Sequence, residues 1–314
     1  MVKELKQLQA QSLKELFSGP FYQLIQFFTN PKRAEKIKQL VLQEENYLFQ
    51  TGAFRRSFRS SHAVMDDMER YLPIIQNMVL FEEMDLVELL NNRTQIKQGE
   101  YPHYDSFVSK DNEPVMNYRV FELMLAFELN AENSQVMDAV EDILFDEQAS
   151  PFFGAPLIRG ILKSNNIRMF EALGKLFLAA ARQEGLRQVI AENIDHGTLE
   201  AQIYMMKLID EHNLIRFSSV LRAVDTWMGL GYNSFENQKL AQEVLHLAVQ
   251  AIEDEEFTKV LLESERTIDV FVALWSIATK DYQQLGAALE KLLKREKHIQ
   301  LTSYLKTIKF YIKI

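Results

Sequence analysis

The feature that most limits how this chain can fold is a spacing. Asn133, Asn166, Thr198, Ser234 and Thr267 each stand just ahead of an apolar run, and the intervals between them are 33, 32, 36 and 33 residues. Side chains of these types accept hydrogen bonds from the free amides of a helix's first turn. Behind Asn166 runs Ile167, Phe170, Leu173, Phe177 and Ala180, and behind Ser234 runs Ala241, Val244, Leu245, Ala248 and Ile252, both at helical period. A second apolar segment lies between starts, such as Phe217, Val220, Leu221, Val224 and Trp227, closed by Gly229 and Gly231. Each interval therefore holds a helical hairpin, and one hairpin of this size cannot hide its apolar face without a neighbour.

These observations predict an all-α chain in which residues 115–314 form about five helix pairs and a terminal helix, arranged as a HEAT- or armadillo-like solenoid. The aromatic and small-residue consensus of tetratricopeptide repeats and the Thr-Pro-Leu-His of ankyrin repeats are missing. An irregular bundle with evenly spaced caps is the alternative. Residues 1–114 read as a less regular helical region, with helices over 3–17, 33–50 and 65–88. The stretch from Asn91 to Pro114, with Gly99 and Pro102, reads as a loop carrying at most an incidental hairpin. The domain change is placed there. Phe170, Leu173, Phe177, Val244, Phe271 and Trp275 are expected in the core.

Composition narrows the chemistry. Only 11 glycines and 7 prolines occur in 314 residues, too few for the turns of a sandwich or barrel. Cysteine is absent, which excludes disulfides, thiolate metal sites and cysteine nucleophiles and agrees with a reducing cytoplasm. Residues 1–7 intersperse polar groups among the apolar ones, with no apolar stretch of the kind an export signal needs, and the longest apolar runs fall short of the roughly 20 residues that span a bilayer. A cytoplasmic protein without a transmembrane segment is expected.

Four segments look familiar together: Leu157-Ile158-Arg159-Gly160-Ile161-Leu162, Ala172-Leu173-Gly174-Lys175-Leu176, Gln183-Glu184-Gly185-Leu186-Arg187-Gln188 and Ile215-Arg216-Phe217-Ser218-Ser219. They resemble the helical-repeat region of large bacterial molybdate-regulator-like proteins associated with a WGR module. The resemblance covers about a quarter of the chain and implies a bacterial helical scaffold, one part of a longer architecture. The WGR tripeptide itself does not occur.

No nucleotide-binding loop, serine elbow or zinc-protease helix motif is present, and no cofactor or metal is expected. Glu243-x-x-His246 is the one Glu-x-x-His on a predicted helix, and a di-iron bundle would need a second such copy. Charge is uneven: residues 1–63 hold 10 basic and 5 acidic side chains, residues 64–160 hold 6 and 19. Within the acidic block, Asp138, Glu141, Asp142 and Asp146 fall opposite Val136, Val140 and Ile143, stacking carboxylates in one outward stripe. With Glu122 and Glu128 this stripe would attract a basic protein or peptide. Arg55, Arg56 and Arg59, interleaved with Phe54 and Phe58, form the basic counterpart, though the net charge of -9 disfavours nucleic acid. The favoured reading is a non-catalytic scaffold holding a protein or peptide. The alternative is an enzyme or nucleic-acid-processing protein whose site is assembled from sequence-distant residues.

Overall fold

A computed structural model describes residue 39 and residues 86–91, 96–98, 106–109, 114–146, 154–179, 184–228, 238–280 and 285–295. Helices dominate it. In chain order they are α1 (Leu86–Asn91), α2 (Tyr118–Asn130), α3 (Ser134–Phe145), α4 (Gly154–Lys163), α5 (Ile167–Ala179) and α6 (Glu184–Asn193). Then follow α7 (Leu199–Glu211), α8 (Ser218–Met228), α9 (Gln238–Glu253), α10 (Glu255–Glu263), α11 (Thr267–Lys280) and α12 (Gly286–Arg295). Single 3-10 turns at Ile194–His196 and Leu214–Arg216 lead into α7 and α8.

The region read as a loop is more ordered than expected. Strands β1 (Ile96–Gln98), β2 (Ser106–Ser109) and β3 (Pro114–Asn117) form an antiparallel sheet in the order β1-β2-β3. Ile96 pairs with Ser109 and Phe107 with Met116, and a register shift between Phe107 and Val108 accommodates Pro114, which has no amide to donate. Strand-forming Ile96, Phe107, Val108 and Val115 alternate with turn formers, but at three or four residues per strand the pattern is too short to read alone. β3 runs directly into α2.

The helix starts follow their cap chemistry. Asn133 Oδ1 accepts the Val136 amide at 3.4 Å, Asn166 Oδ1 accepts Met169 N at 3.2 Å, and Thr198 Oγ1 accepts Ala201 N at 3.2 Å. Ser234 lies outside the described residues. Thr267 is the first helical residue of α11, and the Arg266 carbonyl accepts the amides of Asp269 and Val270. Asp254, unmarked by the spacing, caps α10 by accepting the Phe257 amide at 3.0 Å.

Two compact units result, one of Gln9–Gln202 and one of Met1–Leu8 with Ile203–Ile314. In the first unit α2, α4 and α6 pack in succession, and α1, α3 and α5 form a second row. Two turns each link to the helix pair before: the Asn166 side-chain Nδ2 donates to Leu129 O near the end of α2, and the Thr198 main-chain amide donates to Leu162 O near the end of α4, both at 2.8 Å. Backbones come close at Gly160, where a Cβ would lie 2.6 Å from Leu125 Cδ2 and 3.1 Å from its Cβ and Cγ. In the second unit α9 packs on α11, α10 lies against both, and α12 covers α10. Trp227 and Trp275 meet edge to face at 6.5 Å and tie α8 to α11.

The expected core residues Phe170, Leu173, Phe177, Val244 and Trp275 are buried, and Phe271 is half-buried. A polar seam crosses the first unit. Glu122 on α2 and Lys163 on α4 are both buried and hydrogen-bonded to each other. Arg159 sits 3.6 Å from Glu122 and donates to Asn193 on α6 at 2.5 Å. Arg187, fully buried, donates to the carbonyl of Phe177 and lies 5.9 Å from its ring centre. That bond satisfies a carbonyl freed near the end of α5.

Candidate partner-binding surface

Helix α3 presents the acidic stripe as its period requires. Val136, Val140 and Ile143 are buried, Asp138 and Asp142 are exposed, and Glu141 is half-buried. Asp146 ends the helix, its amide donating to Ile143 O at 3.4 Å. Glu122 does not belong to this surface: it is buried against Lys163, and a carboxylate so placed is held by its cation and is out of reach of a partner. Glu128 accepts from Asn133 Nδ2 at 3.1 Å. Arg55, Arg56 and Arg59, with the N-terminal helices and the C-terminal run Tyr304–Ile314, lie outside the described residues.

The sequence reading did not anticipate that the stripe carries its own cation. Arg168, the second residue of α5, donates from Nε and Nη2 to the two oxygens of Glu141, both at 2.8 Å, and from Nη2 to Asp138 Oδ1 at 3.0 Å. The hydrogen bonds that it donates to Glu141, then to Asp138, push the guanidinium further above its usual value. Glu141 and one oxygen of Asp138 are thereby occupied, and Asp142 is left as the exposed carboxylate with no ion-pair partner among the described residues. Two large apolar side chains break this polar face: Phe145 at the end of α3 is 51% exposed, and Ile167 at the start of α5 is 68% exposed.

A second polar cluster lies in the other unit. Glu243 and His246, one turn apart on α9, do not act together: Glu243 pairs with Arg266, whereas Nδ1 of His246 lies 2.8 Å from Asp210 Oδ2 on α7. Gln242 Nε2 holds the other oxygen of Asp210 at 2.5 Å, and Gln250 Nε2 approaches Nε2 of His246 at 3.1 Å. Lys207 pairs with Glu253 at 2.8 Å along the same two helices. Asp210 and His246 stand 36 residues apart, about one helix-pair interval, so their meeting has no local signature. Among the described residues no group of three or more His, Asp or Glu side chains could hold a metal ion, and no helix is long and apolar enough to cross a membrane.

The fold and these surfaces define a predominantly helical protein of packed helix pairs joined by polar side-chain links. Residues 1–310 match the family of unknown function DUF5724, and the chain belongs to that family. No curated protein and no solved structure matches it.

Proposed function

We propose that this chain is a HEAT- or armadillo-like helical scaffold that binds a protein or peptide partner and performs no catalysis of its own. The observation that supports it most is that at two successive turns a hydrogen bond, from the Asn166 side chain to Leu129 O and from the Thr198 amide to Leu162 O, ties a hairpin to the one before. Such nearest-neighbour stacking builds extended surfaces rather than enclosed pockets. The proposed partner contact lies on α3 and the start of α5, where Asp142 and Phe145 are exposed one turn apart and Ile167 is exposed on the neighbouring helix. A basic partner carrying one apolar anchor suits that combination, the charge acting on association rate and the apolar contact on lifetime. The resemblance to molybdate-regulator-like repeat regions belongs to the same reading and implies a bacterial, cytoplasmic scaffold.

The test is site-specific photo-crosslinking in the protein's own cells, with the crosslinker at position 142 or 145 and, as reference, at the exposed position 256. A protein captured from 142 and 145 and not from 256, and lost on Asp142→Lys, supports the surface. Capture of the same proteins from all three positions, or of none, overturns it. Asp142→Lys is the cleaner variant, because reversing Asp138 and Glu141 would also release Arg168.

A further inference from the structure

The polar cluster on α7 and α9 has a geometry that determines which nitrogen of His246 carries the proton. Asp210, as a carboxylate, only accepts hydrogen bonds, so the ring nitrogen 2.8 Å from its Oδ2 is the donor, Nδ1–H. The neutral ring then keeps its lone pair on Nε2. The group facing that nitrogen at 3.1 Å is the amide nitrogen of Gln250, itself a donor, so both contacts agree on one tautomer. Asp210 is held from behind by Gln242 and its side chain is 15% exposed, whereas that of His246 is 57% exposed. A tie between two helices needs only the first of these contacts. A fixed carboxylate behind a largely exposed ring, with only the Gln250 amide at the far nitrogen, is the arrangement of an oriented nitrogen nucleophile.

We propose that Nε2 of His246 accepts a phosphoryl group. The donor class is a small acyl phosphate or phosphoramidate, or a protein carrying the same linkage. Nε2 attacks phosphorus and forms the N–P bond. The bond from phosphorus to the donor's oxygen or nitrogen breaks, its electron pair leaving with the donor, and the ring proton stays on Nδ1. Asp210 offsets the positive charge that the ring then carries. Gln250 can turn its amide from the ring nitrogen to a phosphoryl oxygen. Transfer at phosphorus suits this exposed site better than acyl chemistry, since it depends on positioning and charge neutralisation more than on covalent work by the protein. The added charge would turn this face into a site for an arginine-bearing partner.

The experiment incubates the full chain with phosphoramidate and follows phosphohistidine by phosphorus NMR and by mass mapping at alkaline pH. Exposed His212 serves as the internal reference. His246 is expected to be phosphorylated on Nε2 on the order of tenfold faster than His212, a modest share of what an oriented base contributes. Asp210→Asn should bring His246 down to the rate of His212, with the circular dichroism and the His212 rate unchanged. Equal rates at the two histidines in the unaltered protein overturn the proposal, as does an unchanged His246 rate in Asp210→Asn. Should that variant fail to fold, Gln242→Ala, which loosens Asp210 and keeps its carboxylate, makes the comparison: a slower His246 supports the site and an unchanged one overturns it.

Discussion

Arg168 grips Glu141 through two parallel hydrogen bonds, Nε to Oε1 and Nη2 to Oε2, each 2.8 Å long. Arg266, just ahead of α11, reaches back to Glu243 with a single hydrogen bond, Nη2 to Oε1. In both cases an arginine at the start of one helix holds a glutamate on the preceding helix of its row. The recurrence marks these arginines as links between hairpins, and it narrows what the acidic stripe can offer another molecule to Asp142 and the exposed end of α3.

For Arg168→Ala the expected result is a small fall in melting temperature at low ionic strength that vanishes in high salt, because the pair is exposed and screened. Binding of an arginine-rich peptide should tighten, since Glu141 and Asp138 lose their internal partner. Unchanged peptide binding, followed by fluorescence anisotropy, would show that these carboxylates do not face a partner.

Gly160→Ala should destabilise. An exchange of glycine for alanine inside a helix ordinarily gains up to about 1 kcal/mol. Here the new methyl would lie 2.6 Å from Leu125 Cδ2, in a fully buried residue with little room to move. Overpacking of this kind costs roughly 1 to 3 kcal/mol. Urea denaturation gives the sign directly, and Leu125→Ala in the same chain should make the combined loss smaller than the sum of the two.

Asn166→Ala removes the cap on Met169 N and the link to Leu129 O, together with a weak bond to Met137 Sδ. A cap alone is worth typically about 1 kcal/mol, and the carbonyl left unsatisfied adds a similar amount, so a loss of about 2 kcal/mol is expected. Asn133→Ala, whose amide reaches only the part-buried Glu128, should cost less. Equal losses in denaturant melts would mean that the link to Leu129 contributes nothing.

Asp225 on α8 is buried, with Oδ1 lacking a hydrogen-bond partner among the described residues, and burial raises its carboxyl above the ordinary carboxylate range. Below that range the side chain is protonated in both states and costs nothing by ionising. As pH rises from the ordinary value through the raised one, the unfolded chain ionises first and the folded state loses stability. Asp225→Asn should therefore be more stable than the unaltered protein at neutral pH, by on the order of 1 kcal/mol, the lower end of the cost of an unsatisfied buried group. The gain should shrink toward acid pH. A gain independent of pH would mean that ionisation of Asp225 is not its source.

How much of this was readable in advance depended on distance along the chain. Caps are local chemistry, and Asn133, Asn166 and Thr198 were legible because each acts on an amide three residues away. The outward placement of Asp138 and Asp142 followed from the period of Val136, Val140 and Ile143 for the same reason. The sheet was missed because its strands gain order from pairing across intervening turns. Arg168 with Glu141, Lys163 with Glu122 and His246 with Asp210 are 27, 41 and 36 residues apart, and in each case only the packing of one helix on another creates the pair.

The buried contact of Glu122 with Lys163 has a consequence for how such a chain can change length over evolution. Arrays of helix pairs commonly gain or lose units, because each touches only its neighbours. Between α2 and α6 this freedom is curtailed. Excising the pair α4 and α5 would remove both cations beside Glu122 and the side chain that engages Asn193, leaving a carboxylate inside the protein with nothing to offset it. Duplicating the pair would bury a second lysine and demand a second glutamate. The number of hairpins in this stretch is thus locked by charge balance, and relatives of this chain should vary in length elsewhere.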